Sequence, residues 1–161
     1  MRQITLIGCV KTKNPGPMKA KDLYSSPLFK ARREYAESRG VPWFILSARL
    51  GLVDPELVIP SYDLSMSDQT SFGRQWWAHG VRTSLSYYLG ALDDVELEVH
   101  AGSAYWRPLE DVLFPDGLDT APSVKVPGRY TAPLMAVDGI GNQLNWYARY
   151  KHSLDIFSEV S

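Results

Sequence analysis

The sequence contains a single cysteine, Cys9, so no disulfide can form within the chain. It also has no run approaching the roughly 20 apolar residues that a membrane-spanning helix requires. Its first residues enter a strand pattern directly, without the apolar stretch and cleavage site of a signal peptide. We therefore expect a soluble protein of a reducing compartment, the cytoplasm, that does not engage a membrane.

Several common catalytic signatures are missing as well. The three histidines belong to no H-x-x-x-H pair and the lone cysteine to no C-x-x-C pair, so we expect no metal site. No Walker sequence G-x-x-x-x-G-K-[ST] occurs, which argues against hydrolysis of nucleoside triphosphates. No G-x-S-x-G elbow occurs either, so acyl transfer finds little support.

The composition that remains is that of a globular protein. Of 161 residues, 45% are hydrophobic and 22% are charged, and no linker, repeat or low-complexity segment interrupts them. This length is ordinary for one domain with a substantial core. We predict a single domain over residues 1–161.

Strand and helix patterns alternate along the chain. Strand-like runs occur at residues 4–10, 43–46 and 95–99 and around Val124 and Val126. In the run 95–99 we expect the glutamate face to be exposed. Helices are predicted from Ser26 to Gly40, about Ser71 to Leu92, about Ala104 to Phe114 and about Asn142 to Val160, with residues 11–25 as a loop. This order predicts an α/β fold with a mostly parallel central sheet and helices on both faces.

The loops that follow the strands are the most unusual parts of the sequence. They span residues 11–25, 47–63 and 102–106. Ligands of mostly parallel sheets bind beyond the carboxyl ends of the strands, where such loops meet. We therefore look for the functional site there.

Charge is unevenly distributed. The net charge is −1, yet residues 1–49 hold ten Lys and Arg against three acids, whereas residues 50–161 hold seven against fifteen. Such asymmetry predicts one electropositive face suited to nucleic acid. The alternative is a solvated basic helix face, with Lys30, Arg32 and Arg33 turned away from the apolar stripe of the first helix.

The first loop carries candidate anion-binding groups. Its lysines and the helix start at Ser26 can converge on a phosphate. Cys9, at the strand end, is either a small core residue or a thiol activated by neighbouring lysines. The candidates here are Cys9, Lys11, Lys13, Lys21, Asp22, Tyr24 and Ser26.

Three further segments complete the set. Ser47 and Arg49 end the second strand, and Tyr62-Asp63 follow in a proline-flanked loop, where Asp63 is either catalytic or a turn cap. Small residues beside polar or aromatic ones let a ligand approach the backbone while amides read a base edge. That pattern adds Gly102 and Tyr105, and, after Gly139 and Gly141, Asn142 and Gln143.

A family resemblance is carried by three motifs in combination. They are C-x-K-x-K starting at residue 9, DLYSSPLF starting at residue 22 and LSARLGLVDPELVIPSYDLSM starting at residue 46. They resemble the superfamily that contains YaaA-type DNA-binding proteins, the lysine-transferring domain of archaeosine synthase and small stand-alone domains. The stand-alone branch is similar to phage-defence DNA glycosylases that remove hypermodified bases such as glucosylated hydroxymethylcytosine. The resemblance implies a uracil-DNA-glycosylase-like α/β fold and a substrate base within nucleic acid.

The leading hypothesis is accordingly an antiviral DNA glycosylase that needs no cofactor or metal and no obligate protein partner. Phosphates would be held by the first loop and Arg49, and the flipped nucleotide by Tyr24, Ser47, Tyr62 and the Gly102 turn. Asp63, or secondarily Asp22, would stabilise the charge that develops on the sugar. The alternatives are a non-catalytic DNA-binding module and an N-glycosidase or base transferase acting on nucleotides or modified deazaguanine.

Overall fold

The computed structural model describes residues 2–113, 123–125 and 142–151. Predictions for Phe114, Val126, Gly139, Gly141 and residues 152–160 lie outside these ranges. The strands are β1 (Arg2–Gly8), β2 (Met18–Lys19), β3 (Trp43–Ser47), β4 (Gly51–Val53), β5 (Val58–Ile59), β6 (Val95–His100) and β7 (Ser123–Lys125). The helices are α1 (Ala20–Leu23), α2 (Pro27–Ser38), α3 (Ser71–Leu89), α4 (Ser103–Leu113) and α5 (142–151), with a 3-10 turn at Met66–Asp68.

The main sheet has five strands in the order β4-β3-β1-β6-β7. Strand β1 is central and runs parallel to β3 and β6, and β7 continues the parallel set. Only β4 is antiparallel, because it returns directly from β3 through a short turn. The predicted mostly parallel α/β sheet is confirmed, and the carboxyl ends of β1, β3 and β6 lie at one edge.

Alternation of apolar side chains along β1 gives the sheet two buried faces. Ile4 and Leu6 join one core cluster with residues of α3 and α4, while Ile7 joins a second cluster with residues of α1 and α2. Helices therefore cover both faces, as the alternating pattern predicts. None of the helices within the described ranges is long and apolar enough to cross a membrane.

Helix boundaries follow ordinary capping chemistry. The Ser26 hydroxyl accepts a hydrogen bond from the Phe29 N–H at 3.1 Å and begins α2, with Pro27 in the first turn. Thr70 caps α3 in the same way through the Gly73 N–H at 3.0 Å. The predicted starts of these helices are confirmed.

Three local predictions were wrong. Residues 11–25 are not a plain loop, since they contain β2 and α1. Arg32 does not face away from the core: only 4% of it is exposed. The glutamate face of β6 is not exposed, because the Glu98 side chain is only 16% exposed and is bonded to Tyr35 of α2 and to His100.

Gly8 marks the closest approach between the ends of β1 and β6. A Cβ atom built on Gly8 would lie 2.8 Å from the Cβ of Ala101, inside the limit of real contacts. We expect Gly8→Ala to lower the free energy of unfolding by about 1–3 kcal/mol, because the strands must separate to admit the methyl group. Urea denaturation measures this change.

The matched control is Gly80→Ala in α3. A Cβ at Gly80 meets nothing within 4 Å, so the helix propensity of alanine should raise stability by about 0.5–1 kcal/mol. Equal effects at the two positions would contradict the steric explanation for Gly8.

Candidate functional site

The first loop packs against the segment that leads to Tyr62 and Asp63. Strands β2 and β5 pair antiparallel, with Met18 opposite Ile59. A Cβ on Gly16 would lie 2.9 Å from the backbone nitrogen of Ser61, which shows how closely the two chains approach. The two segments therefore lie side by side, although we expected them to line one cavity and neither Tyr62 nor Asp63 is among the residues that line one.

Three hydroxyl groups, those of Tyr24, Ser47 and Tyr62, form what we call the hydroxyl cluster. The Ser47 hydroxyl donates to the Tyr62 oxygen at 2.9 Å and accepts from the Leu50 N–H at 3.1 Å. The Tyr62 and Tyr24 oxygens are 2.7 Å apart. Because Tyr62 already accepts from Ser47, its own proton is free to reach Tyr24. The cluster therefore fixes the position of Tyr62 from two sides.

The Cys9 thiol extends this arrangement towards α4. Its sulfur is 3.2 Å from the Tyr105 hydroxyl. The Tyr105 ring packs edge-on against Trp77, at 5.6 Å between centroids, and the Trp77 indole N–H donates to the Ser47 carbonyl at 2.8 Å. Residues from β1, β3 and α4 are thus joined at one sheet edge.

The tyrosine hydroxyls are held in their neutral form. Burial, reinforced by the neighbouring Cys9 thiol, raises the pKa of Tyr24 to about 12. The same two causes raise the pKa values of Tyr62 and Tyr105 well above the ordinary range. At neutral pH these groups can donate hydrogen bonds but cannot act as bases.

The Lys13 ammonium group lies over the tyrosine rings of the hydroxyl cluster. The ammonium nitrogen of Lys13 is 4.4 Å from the centre of the Tyr62 ring and 5.8 Å from that of Tyr24. It also donates to the Lys11 carbonyl at 3.0 Å. This contact holds a positive charge beside the segment that carries Asp63.

Beside these groups is a cavity of about 340 Å³. It is bounded by the chain after β1, the start of α4 and the segment after Asp63. Its walls are more apolar than polar, and their polar side chains are those of a lysine, a cysteine, three serines and a tyrosine. The lining residues are Cys9, Val10, Lys11, Leu64, Ser65, Ser67, Gly102, Ser103, Ala104 and Tyr105.

Asp63 does not itself line the cavity but lies in the chain between these two features. Its neighbour Tyr62 belongs to the hydroxyl cluster, and its other neighbour Leu64 lines the cavity. Its carboxylate is exposed. Among the described residues it forms no ion pair, whereas Asp22, Glu56, Asp94 and Glu98 all do.

Several predicted residues do not line the cavity. Ser47 is fully buried, Tyr24 is 2% exposed and Tyr62 is 8% exposed, so all three stand one layer behind it. Asp22 forms an ion pair with Arg33 at 2.7 Å, and Lys21 pairs with Glu56. Ser26 serves as the cap of α2, and Arg49 is exposed in the turn between β3 and β4.

The pair at the start of α5 also lies outside the cavity lining. The Gln143 side-chain oxygen accepts from the buried Arg32 guanidinium at 3.0 Å, and the same guanidinium donates to the Gly8 carbonyl at 3.1 Å. Gln143 therefore braces the end of β1. Asn142 is exposed and engaged with a neighbour.

Some residues of the site were not among those predicted from the sequence. Ser65 and Ser67 line the cavity, and their only signal was the hydroxyl-rich run after Asp63. Ser103 lines it too, and it stands between Gly102 and Tyr105, which were predicted. Arg32 carried a clearer signal, since it stands four residues from both Leu28 and Ala36, which belong to the apolar stripe. Across the described ranges, no three His, Cys, Asp or Glu side chains converge as a metal site would require.

A second polar network is buried on the α2 side of the sheet. The His100 Nε2 is 3.0 Å from a Glu98 oxygen, and its Nδ1 is 2.7 Å from the Tyr147 hydroxyl. A carboxylate can only accept, so Nε2 carries the proton and Nδ1 accepts from Tyr147. Burial lowers the pKa of His100. Burial acts to raise the pKa of Glu98, but hydrogen bonds from His100 and Tyr35 outweigh it and leave the value lowered.

Both shifts predict a loss of stability in acid. In the unfolded chain His100 takes up a proton near pH 6.5, whereas in the folded chain its pKa is lower. Protonation therefore favours the unfolded chain, and the free energy of unfolding falls as the pH drops below 6.5. Glu98 adds a further loss below its ordinary pKa of 4.5. Urea denaturation of the wild type and His100→Gln at pH 7.5 and 5.5 measures the first effect. We expect a flatter profile in the variant, and parallel profiles would contradict it.

Comparison with known proteins places this site within a family. The model of the "Family of unknown function (DUF6884)" matches residues 4–149. "Uncharacterized protein YfjM" of Bacillus subtilis (strain 168) is 36% identical over a 72-residue alignment that covers 40% of this chain and 48% of that protein. The match thus spans about half the length of that relative. No solved structure matches the chain. Because the family model spans β1 to α5, the protein belongs to the DUF6884 family.

Proposed function

We propose that the protein is a DNA glycosylase of uracil-DNA-glycosylase-like fold that acts in the cytoplasm. It would excise a modified base, such as glucosylated hydroxymethylcytosine in phage DNA, and leave an abasic site in antiviral defence. The observation that carries the proposal is the exposed Asp63 carboxylate, which forms no ion pair among the described residues and directly precedes Leu64 in the cavity wall. The other candidate carboxylate, Asp22, is instead engaged in an ion pair with Arg33.

In the proposed reaction the C1′–N bond breaks and its electron pair leaves with the base. The sugar becomes oxocarbenium-like, and the Asp63 carboxylate stabilises that positive charge. Water then bonds to C1′ and gives one proton to Asp63, the base anion takes up a proton from solvent, and Asp63 returns its proton to solvent, so one water is added across the C1′–N bond. The neighbouring tyrosines stay neutral, so the proposal assigns the role of base to the Asp63 carboxylate rather than to them.

Other residues have supporting roles in this scheme. Lys11 and the Tyr105 hydroxyl, both in the cavity wall, can donate to the departing base. Lys11, Lys13 and Arg49 take part in none of the described ion pairs and remain available for phosphates. Ser47 and Tyr24 position Tyr62, and through it the neighbouring Asp63.

The direct test is to incubate the purified protein with normal, hydroxymethylated and glucosylated DNA. Free base and alkali-labile abasic sites are then measured. Release of a base from one of the modified substrates supports the proposal. Tight, salt-dependent DNA binding without release from any substrate would favour a binding module instead.

A further inference from the structure

The buried side chain of Arg32 carries a positive charge that its described partners do not neutralise. Arg32 is 4% exposed and donates to the Gly8 carbonyl at 3.1 Å and to the Gln143 side-chain oxygen at 3.0 Å, both of which are neutral. Its Nε has no hydrogen-bond partner, and it forms no ion pair among the described residues. An arginine is rarely buried without a carboxylate, because the lost hydration is not repaid. Its burial here therefore points to an anionic ligand.

The charges around Arg32 do not offset it. Burial lowers the pKa of His100, and the guanidinium groups of Arg32 and Arg39 both lower it further, so this histidine is neutral at pH 7. Glu98, the carboxylate of this buried network, is paired with Arg39 at 3.6 Å. Gln143 stands in the first turn of α5, where the helix dipole is positive. One positive charge is thus left over in this part of the described structure.

This charge lies directly behind the cavity of about 340 Å³. A Cβ atom built on Gly8 would be 3.5 Å from the Arg32 Nη1 and 2.8 Å from the Cβ of Ala101. The residues that follow Gly8 and Ala101 in the chain both line the cavity. The charge also acts on the wall: burial raises the pKa of Tyr105, and Arg32 opposes that rise. The electrostatic potential of Arg32 therefore reaches the cavity.

The cavity opens on the first turn of α4, an 11-residue helix. Its lining includes every residue from Gly102 to Tyr105. The first N–H groups of a helix have no acceptor within it, so those of Ser103 and Ala104 can donate to a ligand, and the helix dipole favours an anion there. Lys11 adds an ammonium group to the same wall. No Asp or Glu is among the described residues that line the cavity.

We propose that this cavity binds a phosphate group, held by Lys11 and by the N–H groups at the start of α4, with the charge of Arg32 behind them. The apolar part of the wall, at Val10 and Leu64, suits the remainder of a nucleotide. The inference goes beyond the proposed function, because it requires no bond cleavage. Of the two roles open to Lys11, contact with the departing base or with phosphate, it selects the phosphate.

The test compares thymidine 5′-monophosphate with thymidine by isothermal titration calorimetry at constant ionic strength. We expect the monophosphate to bind at least about tenfold more tightly, since hydrogen bonds to a charged group are stronger than neutral ones. Inorganic phosphate should compete with it, whereas chloride at the same ionic strength should not. The dinucleotide TpT, measured in the same way, distinguishes the diester of a DNA strand from a terminal phosphate as the preferred form.

Lys11→Gln should weaken binding of the monophosphate about tenfold and leave that of thymidine within about twofold. Lys30→Gln is the matched control. It removes the same charge from an exposed position on α2 that does not line the cavity, so it should change either affinity less than about twofold. Arg32→Gln should lower affinity for the monophosphate selectively. If that variant does not fold by circular dichroism, the comparison of Lys11→Gln with Lys30→Gln still decides.

Equal affinity for thymidine and its monophosphate, or equal losses in Lys11→Gln and Lys30→Gln, would overturn the proposal. The readouts also separate it from the glycosylase, because binding is measured without a modified base. Base release from modified DNA without any phosphate-dependent binding would keep the enzyme and refute the phosphate site. Phosphate-dependent binding without release from any substrate would refute the enzyme and keep the site.

Discussion

Asp63→Asn is expected to slow base release by two to four powers of ten. Asparagine keeps the size of the side chain but cannot carry the negative charge that stabilises the sugar cation or accept the proton of water. The corresponding rise in the barrier is about 3–5 kcal/mol. Single-turnover release of the modified base measures the chemical step directly. DNA affinity should be retained or slightly increased, because the variant loses a charge that repels phosphate.

A matched control removes the same charge from the same segment. Asp68→Asn alters another exposed aspartate, five residues farther along, in the 3-10 turn beside the cavity. It should change the rate less than about threefold, because only a carboxylate at the reacting carbon answers the developing charge. If Asp68→Asn were as damaging, the effect of Asp63 would be one of net charge and the mechanism would fail.

The thiol offers a competing explanation that the same assay resolves. Cys9 lines the cavity and contacts the Tyr105 hydroxyl. A loss of several powers of ten in Cys9→Ala, together with near-normal release by Asp63→Asn, would assign the chemistry to the cysteine. The proposed mechanism requires the opposite order of effects.

The sheet could be predicted because its signals are local. β1 and β3 are short apolar runs bounded by turns, and Ser26 and Thr70 are caps that satisfy free helical N–H groups. The pairing of β2 with β5 could not be predicted in this way. Each strand has two residues, too few for a period, and they form only because Met18 and Ile59 meet in space.

The candidate site, like the sheet, could be predicted from the sequence only in part. Loops after parallel strands meet at one edge by topology, so Cys9, Tyr62 and Gly102 could be grouped in advance. Which side chains face the cavity and which stand behind it depends on packing. Ser47 is fully buried by its contacts with Tyr62, Leu50 and Trp77, and no spacing in the sequence records those contacts.

The ion pair that Asp22 forms in the fold excludes it as the catalytic carboxylate. In the sequence it was a second candidate for the catalytic carboxylate, close to the lysines of the first loop. In the fold, α1 presents it to Arg33 of α2, which also binds Glu37 at 2.7 Å. Burial opposes the charge of Arg33, but these two carboxylates outweigh it and raise its pKa. An exposed aspartate that holds a neighbouring helix in this way is not available to substrate.

The core and the site are coupled through Phe29. Its side chain is fully buried at the first turn of α2, and its backbone N–H is the donor that Ser26 caps. The centre of its ring is 4.8 Å from that of Tyr24. The Tyr24 hydroxyl is hydrogen-bonded to that of Tyr62, which directly precedes Asp63. The packing of Phe29 against Tyr24 therefore helps to position the segment that carries Asp63.

Phe29→Ala should therefore lower the free energy of unfolding by about 3–5 kcal/mol, because it leaves a cavity where Tyr24 now packs. Urea denaturation measures this, with Phe29→Leu as a control that keeps most of the volume and should cost about 1 kcal/mol. At a temperature where Phe29→Ala remains folded by circular dichroism, base release should still be slower than in the Leu variant, since Tyr24 can shift into the empty space and release Tyr62. Equal rates in the two folded variants would show that the hydroxyl cluster does not position Asp63, and that Ser47 and Tyr24 serve the core alone.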